Sequence, residues 1–283
     1  MYKFEKLDLS MVGIQEVSDL LNIVFPNTNV NSVEYLDWEY NHNPEGNAIG
    51  FNAYLDNCLA AHYVTQPIKA SINGVETRGL LSLNTATHPD HRGKKLFTIL
   101  AEMTYEYAAK EGYSFVIGVA NQNSIRGFVK HLGFDLIKPL DVKIGLGIHE
   151  EFQNYTYSFF RVWDRKSINW RLSNPIKKYR VKKKNESTYI LAQTGKWGIN
   201  AIIGVFDNIQ SEEINFVNKG LTSNVYIWMG VNDRITWKKS AYISFPNRLK
   251  PSPLNLIFKD LTNSGLVLNS ETIKFQCIDF DAF

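Results

Sequence analysis

Cysteine is nearly missing from this chain of 283 residues; only Cys58 and Cys277 occur. They stand far apart and outside any ligand spacing, which excludes a disulfide scaffold and a cysteine-based metal site, so no metal is expected. No apolar run approaches the length of about 18 residues that signals a membrane-spanning helix, and Met1 to Lys6 lack the apolar core of a secretory leader. The expectations are no membrane insertion and a cytoplasmic location. Charge of one sign is scarce as well: the net charge of +3 is too small to imply a polyanionic partner, and no nucleic acid is expected. Proline is sparse, with three of nine residues (Pro246, Pro251 and Pro253) in one predicted surface loop. Low-complexity segments and long linkers are absent. What remains, 44% apolar and 21% charged, is ordinary globular composition, enough for one large domain or two of usual size.

Chemistry is concentrated in residues 80–134. The apolar strand Leu80 to Thr87 runs into His88-Pro89-Asp90-His91-Arg92-Gly93-Lys94-Lys95. A helix follows, with Leu96, Ile99, Leu100, Met103 and Tyr107 spaced along one face. After Glu111-Gly112 come the apolar run Phe115 to Val119, the turn Ala120-Asn121-Gln122-Asn123, and a short helix from Ser124 to Leu132 that stops at Gly133-Phe134. A helix start leaves its first N–H groups unpaired and carries partial positive charge. With Arg92, Lys94 and Lys95 around it, and Gly93 allowing a tight turn, that end suits a phosphate.

Upstream, Tyr2 to Leu7 alternates as a strand, Ser10 caps a helix reaching Phe25, and Asn31-Ser32 opens a second helix ended by Asn43-Pro44-Glu45-Gly46. Two hairpins follow: Ile49–Leu55 with Cys58–Val64 around Asp56-Asn57, then Ile68–Ile72 with the motif strand around Asn73-Gly74. Helices, a strand meander, then strand–helix–strand–helix predict an α/β fold.

This constellation resembles the GNAT superfamily of acyl-CoA-dependent N-acyltransferases, over residues 1–149 and most specifically over 84–134. Arg92-Gly93 matches the centre of that family's pyrophosphate signature, and Asn123-Ser124 to Gly133-Phe134 is similar to its second cofactor motif. Three positions depart: Asp90 stands where Gln or Arg is usual, Lys95 replaces a small residue, and Val129 replaces the tyrosine that often protonates the leaving thiolate. The resemblance implies a mixed, mostly antiparallel sheet flanked by helices, and acyl-CoA (acetyl-CoA or a longer acyl-CoA) as cosubstrate. It further implies coenzyme contacts from Ala86, Thr87, Arg92, Gly93, Lys94, Lys95, Leu96, Phe97, Asn123, Ser124 and Phe128. A backbone N–H near Thr85 would serve as oxyanion donor.

The second half lacks a phosphate turn but echoes the first. Leu36-Asp37-Trp38-Glu39-Tyr40 with Asn43-Pro44 reads against Ile168-Asn169-Trp170-Arg171-Leu172 with Asn174-Pro175, the tryptophans lying 132 residues apart. Each segment leads into a meander, Ile49–Val64 and Thr188–Phe206. The reading is a degenerate duplication: a catalytic domain over 1–149 and a GNAT-like domain over 150–283, the acceptor binding in their shared cleft. Strands are predicted at Val225–Met229, Ser240–Phe245, Leu254–Leu261 and Ile273–Phe280.

An amine attacking a thioester needs a positioned donor and somewhere for its proton to go. His62, on a strand beside the motif hairpin, is the candidate base, although a lone strand histidine is more often a surface or satisfied structural residue; Asn84 is the alternative, holding a water that carries the proton away. Trp38, Tyr40, His42, Asn43 and Arg171 are candidate acceptor contacts, although aromatics at helical spacing are often core. The run Lys177 to Lys184, six basic residues in eight, reads as a protected edge strand, or as a contact for a nucleotide diphosphate or a nucleic-acid backbone near the cleft. The resemblance narrows to members that acylate nucleotide-linked (dTDP- or UDP-) amino sugars for bacterial surface polysaccharide. Two alternatives stand beside it: an aminoacyl-tRNA-dependent transferase of peptidoglycan type, and a non-catalytic acyl-CoA-binding module. Oligomeric state is not legible.

Overall fold

The computed structural model describes residues 1–26, 28–149, 156–196, 198–207, 223–238, 240–246 and 253–280. Its first elements follow local chemistry. Strand β1 (Lys3–Lys6) precedes α1 (Met11–Val24), whose cap Ser10 accepts the Gly13 N–H through its hydroxyl. Ser32 caps α2 (Val33–Asn41) in the same way. Asp56 and Asn57 both take positive φ in the turn joining β2 (Ile49–Leu55) to β3 (Cys58–Ile72), and Asn73-Gly74 turns β3 into β4 (Val75–Thr87). Then come α3 (Leu96–Lys110), β5 (Phe115–Ala120), α4 (Ile125–His131), β6 (Asp135–Pro139) and β7 (Asp141–Leu146).

Two predicted strands, Cys58–Val64 and Ile68–Ile72, are one. Strand β3 runs through Pro67 because its flank opposite β4 is unpartnered there: β2 pairs as far as Thr65 and the next neighbour begins at Ala70. A residue without an N–H is tolerated at such a gap.

The second half comprises β8 (Phe159–Arg161), α5 (Arg165–Leu172), β9 (Tyr179–Lys184), β10 (Ser187–Gln193), β11 (Ile199–Asp207), β12 (Val225–Asn232), β13 (Tyr242–Ser244), β14 (Asn255–Asp260), β15 (Ile273–Gln276) and one helical turn, α6 (Cys277–Phe280). The predicted final strand therefore breaks at Gln276, where the Asp279 carboxylate accepts the Gln276 N–H and turns the chain. Residues 247–252 of the predicted proline loop lie outside the described residues. Lysine-rich β9 is an edge strand, as its composition suggests.

All fifteen strands join one sheet, and its pairing exposes the duplication. The series β2-β3-β4-β5-β14-β6 is antiparallel throughout except for the parallel pair β4·β5. The series β9-β10-β11-β12-β7-β13 has the same senses, with β11·β12 parallel. In each series the fifth strand belongs to the other half of the sequence. Strand β14 completes the first half and β7 completes the second.

The helices preceding the two meanders meet across this exchange. The Trp38 and Trp170 rings stack at 4.9 Å and 18°, and each indole N–H donates to the other's backbone carbonyl, at 3.2 and 3.3 Å. Reciprocal bonds between residues of matching position are the mark of a local two-fold relation. At this point the halves meet through stacked aromatics. The largest core cluster draws on both halves, from Ile68 and Phe115 to Leu256 and Phe275.

Candidate active site

Strands β4 and β5 pair only from Gly79↔Phe115 to Ser82↔Gly118. Beyond that point they part, and β4 continues to Thr87 with β3 alone as neighbour. A bulge accompanies the parting: His62 pairs with Ala86 and Val64 with Leu83, so β4 carries an extra residue, and Asn84 takes φ 43°. A left-handed asparagine in a strand re-aims the local backbone, a device common beside functional sites. Leu83, Asn84, Thr85 and Thr87 are all partly exposed along this stretch, while Ala86 is buried.

At the mouth of the parting, the chain leaves β4 through a turn in which the His88 imidazole accepts the Asp90 N–H. Gly93 and Lys95 then take left-handed φ of 76° and 59°. The first amide of α3 to find a backbone acceptor is Ile99, on Lys95 O, and no side chain caps the helix. The amides of Leu96, Phe97 and Thr98 are thus left bare, with Arg92, Gly93, Lys94 and Lys95 exposed around them. Bare amides at a helix start, with cations on both sides, form an anion cradle.

Helix α4 lies beside α3. Asn121 organises its start by accepting the Asn123 and Ser124 N–H groups, at 2.9 and 3.1 Å, which leaves the Asn123 and Ser124 side chains at the surface side of the turn. Phe128 is buried and packs edge-on against Phe97 and Phe134, so it shapes the wall between the helices rather than standing free.

Behind the bulge lies a polar network that only folding reveals. Asn84 donates to Glu39 Oε2 at 2.7 Å and to the Tyr40 hydroxyl at 3.1 Å. Tyr40 donates onward to His62 Nε2 (3.1 Å), whose Nδ1–H reaches Asn52 Oδ1 (2.7 Å). This tautomer follows from the amide accepting at one ring nitrogen. Asn52 continues to Tyr54, and Tyr54 to Glu16. Every donor in the chain points away from Asn84 toward the Glu16 carboxylate.

The network sets the surroundings of His62. It is 1% exposed and burial holds its pKa down, at about 3, which favours the neutral ring near neutral pH. Burial and the neighbouring Glu39 charge push the Tyr40 phenol well above its ordinary range. Tyr40 is fully buried.

The other candidate acceptor contacts all have partners within the protein. Trp38 is stacked on Trp170, and Arg171 is enclosed over both indoles with its guanidinium donating to Gln66. Asn43 bridges Pro67 O and the Glu45 N–H inside the protein. His42 caps α2 as an exposed partner of Asp37.

Sequence reading missed Glu39, which is 5% exposed, bonded to Asn84 and Tyr35, and the nearest carboxylate to the bulge. It also missed a hydroxyl trio at the last paired residue of β4: Tyr63 bonds Ser82 at 2.9 Å and Tyr105 at 2.6 Å. Burial pushes Tyr63 up to about 12, so the trio stays protonated across the working range. No short sequence spacing advertises either group.

A mixed sheet whose parallel pair parts at a bulged strand, with a bare helix start at the mouth, is the GNAT fold, here with a degenerate second copy. Residues 9–137 match the model of the acetyltransferase (GNAT) domain. Solved structures of the same fold include a conserved protein of unknown function from Enterococcus faecalis, called a "Probable N-Acyltransferase" (TM-score 0.66, 10% identity, 93% of this chain and 73% of that one). A GCN5-related N-acetyltransferase from Anabaena variabilis is similar at TM-score 0.62 and 12% identity, over 92% and 73%. Saccharomyces cerevisiae N-myristoyltransferase with bound myristoyl-CoA aligns at TM-score 0.57 and 9% identity, over 91% and 82%. No curated protein matches the chain in sequence. Among the described residues no helix is long and apolar enough to cross a membrane, and no cluster of His, Cys, Asp and Glu could hold a metal ion.

Proposed function

We propose that the protein is an acyl-CoA-dependent N-acyltransferase acting on a primary amine. One observation carries the reading: bare amides at the start of α3 stand at the mouth of the parted strands β4 and β5. The diphosphate of the coenzyme takes the cradle of Arg92 to Phe97. The pantetheine arm runs into the parting beside Ala86 and Thr87, with Asn123 and Ser124 on its far side. There the thioester carbonyl meets a strand amide near Thr85, a fixed donor for the oxyanion.

The amine attacks the carbonyl carbon, the C–S bond breaks, and coenzyme A leaves as a thiolate. Glu39, one hydrogen bond behind Asn84, is the group suited to receive the amine's proton. Asn84, Tyr40 and neutral His62 hold that carboxylate and its partner amide in place. Ser82, backed by the protonated Tyr63 and Tyr105, takes the place left by Val129 in supplying a proton to the thiolate.

A nucleotide-linked (dTDP- or UDP-) amino sugar is the acceptor class to which the family resemblance points, in a cytoplasmic setting. Its support is the resemblance alone, since Trp38, Tyr40 and Asn43 are enclosed. Thiol release from acetyl-CoA and longer acyl-CoAs, measured against dTDP- and UDP-amino sugars, peptides and polyamines, tests both levels. Turnover with amino sugars supports the acceptor, and turnover only with other amines removes it. No turnover with any amine, and no coenzyme binding, removes the whole reading. Glu39→Gln lowers kcat about a hundredfold or more while leaving the KM for acyl-CoA near its wild-type value.

A further inference from the structure

The second half has its own parting of strands, and the chain fills it. Strands β11 and β12 pair from Ile199↔Val225 to Ile202↔Trp228 and then separate, with a bulge at the same level, where Ile203 of β11 is the extra residue opposite Ile190 and Leu191 of β10. Strand β15 enters the gap, pairing Gly230↔Gln276, Val231↔Phe275 and Asn232↔Lys274 along β12. On the facing side the Gln276 side chain accepts the Val205 N–H at 2.8 Å and donates to Val205 O at 3.4 Å. A side-chain amide thus satisfies β11 as a neighbouring peptide would. A Cβ on Gly230 would fall 2.4 Å from Phe275 O, so glycine is needed for this close approach.

The root of the second parting is therefore shut, but a cavity of about 320 Å³ remains at its mouth. Tyr157, Phe160, Trp163 and Phe206 supply flat walls, and Lys274 enters from β15. The Lys274 ammonium lies 5.8 Å from the Tyr157 ring centroid and 5.7 Å from that of Phe206, and it makes no hydrogen bond or ion pair among the described residues. The acids near it are engaged elsewhere. Asp279 accepts from Trp163 Nε1 and Gln276 N, while Asp207 accepts from Ser187 and lies 3.9 Å from Arg234. Burial lowers the Lys274 pKa, while the charges of Asp207 and Asp279, which also line the cavity, act the other way through space.

A partly buried cation that makes no hydrogen bond or ion pair of its own is favoured by an oxyanion placed beside it. The volume is within the range of small-molecule sites, and the walls suit a planar group. We propose that the mouth of the closed second parting is a ligand site, in which Lys274 pairs with an oxyanion (a carboxylate or a phosphate monoester) carried on a planar ring that lies against the aromatic walls of the cavity. The site is separate from the coenzyme cradle and does not depend on the proposed function of the first half.

The test is titration calorimetry on the intact protein with benzoate and phenyl phosphate, and with inorganic phosphate and benzyl alcohol as controls. The expected result is binding of one charged-ring probe with Kd at or below ~1 mM, both controls binding at least about tenfold more weakly. Lys274→Gln weakens the probe about tenfold or more, and Lys274→Arg restores it. Saturating coenzyme A does not displace it. The melting temperature of free Lys274→Gln is expected to stay within a few degrees of wild type, because no hydrogen bond or ion pair is lost.

Binding of neither charged-ring probe, equal binding by Lys274→Gln, or displacement by coenzyme A would each overturn the proposal. So would inorganic phosphate binding as well as phenyl phosphate, or a sharp fall in the melting temperature of Lys274→Gln. Amide chemical shifts of residues 206, 207 and 273–276 in the wild-type protein read the same site without any substitution. Shifts confined there support it, and shifts elsewhere sink it.

Discussion

His62 offers a sharp test of the network behind the bulge. In the unfolded chain its pKa is the ordinary 6.5, whereas in the fold it is about 3. Between those values the unfolded chain binds the proton and the folded one does not, so acid favours unfolding. The contribution is fully present above pH 6.5 and is lost as pH falls toward 3. At about 1.4 kcal/mol per pH unit, the gap corresponds to roughly 5 kcal/mol, comparable to the lower end of the total stability of a domain.

Urea midpoints of wild type and His62→Gln from pH 7 to pH 4 isolate this term, since all other groups are common to both. Glutamine offers a carbonyl for Tyr40 and an N–H for Asn52, so the hydrogen bonds have a substitute. The wild-type curve should fall more steeply below pH 6.5, by more than about 1 kcal/mol between pH 6 and pH 5. Parallel curves, or an imidazole signal from His62 titrating near pH 6 in the folded protein, would refute both the burial argument and the assigned tautomer.

Replacing Trp38 or Trp170 by Ala should cost about 3–5 kcal/mol each. The double variant should cost less than the sum by about 1–3 kcal/mol, because each ring loses the same partner, and a double-mutant cycle in urea reads this coupling. Gly230→Ala should destabilise the protein by about 1–3 kcal/mol through collision with Phe275 O, read as a lower melting temperature. Replacing Arg92, Lys94 and Lys95 together by Gln should raise the KM for acyl-CoA about tenfold or more, make it less sensitive to salt, and leave the melting temperature within a few degrees of wild type, checked by steady-state kinetics at two ionic strengths.

The first hundred or so residues were legible where the cause is local. Ser10 and Ser32 announce their helices, Asp56-Asn57 and Asn73-Gly74 announce their turns, and Arg92-Gly93-Lys94-Lys95 marks the exposed basic turn before α3. The repeat could be read from Trp38 and Trp170, though not their stacking. Pro67 misled because a central strand normally excludes proline, and the unpartnered flank that admits it is a property of the sheet. Partnerships across long separations left no local trace. Glu39 finds Asn84 45 residues away and Gln276 finds Val205 71 residues away. The aromatic and amide residues of α2 look like a ligand-binding set in one dimension, and folding turns them inward.

The traded strands also govern how the protein can be made and divided. The first half waits for residues 255–260 before its row of strands is whole, so on the ribosome it spends most of synthesis with β5 and β6 lacking the strand that belongs between them. A fragment stopped near residue 149 would expose that empty slot and invite a foreign strand into it.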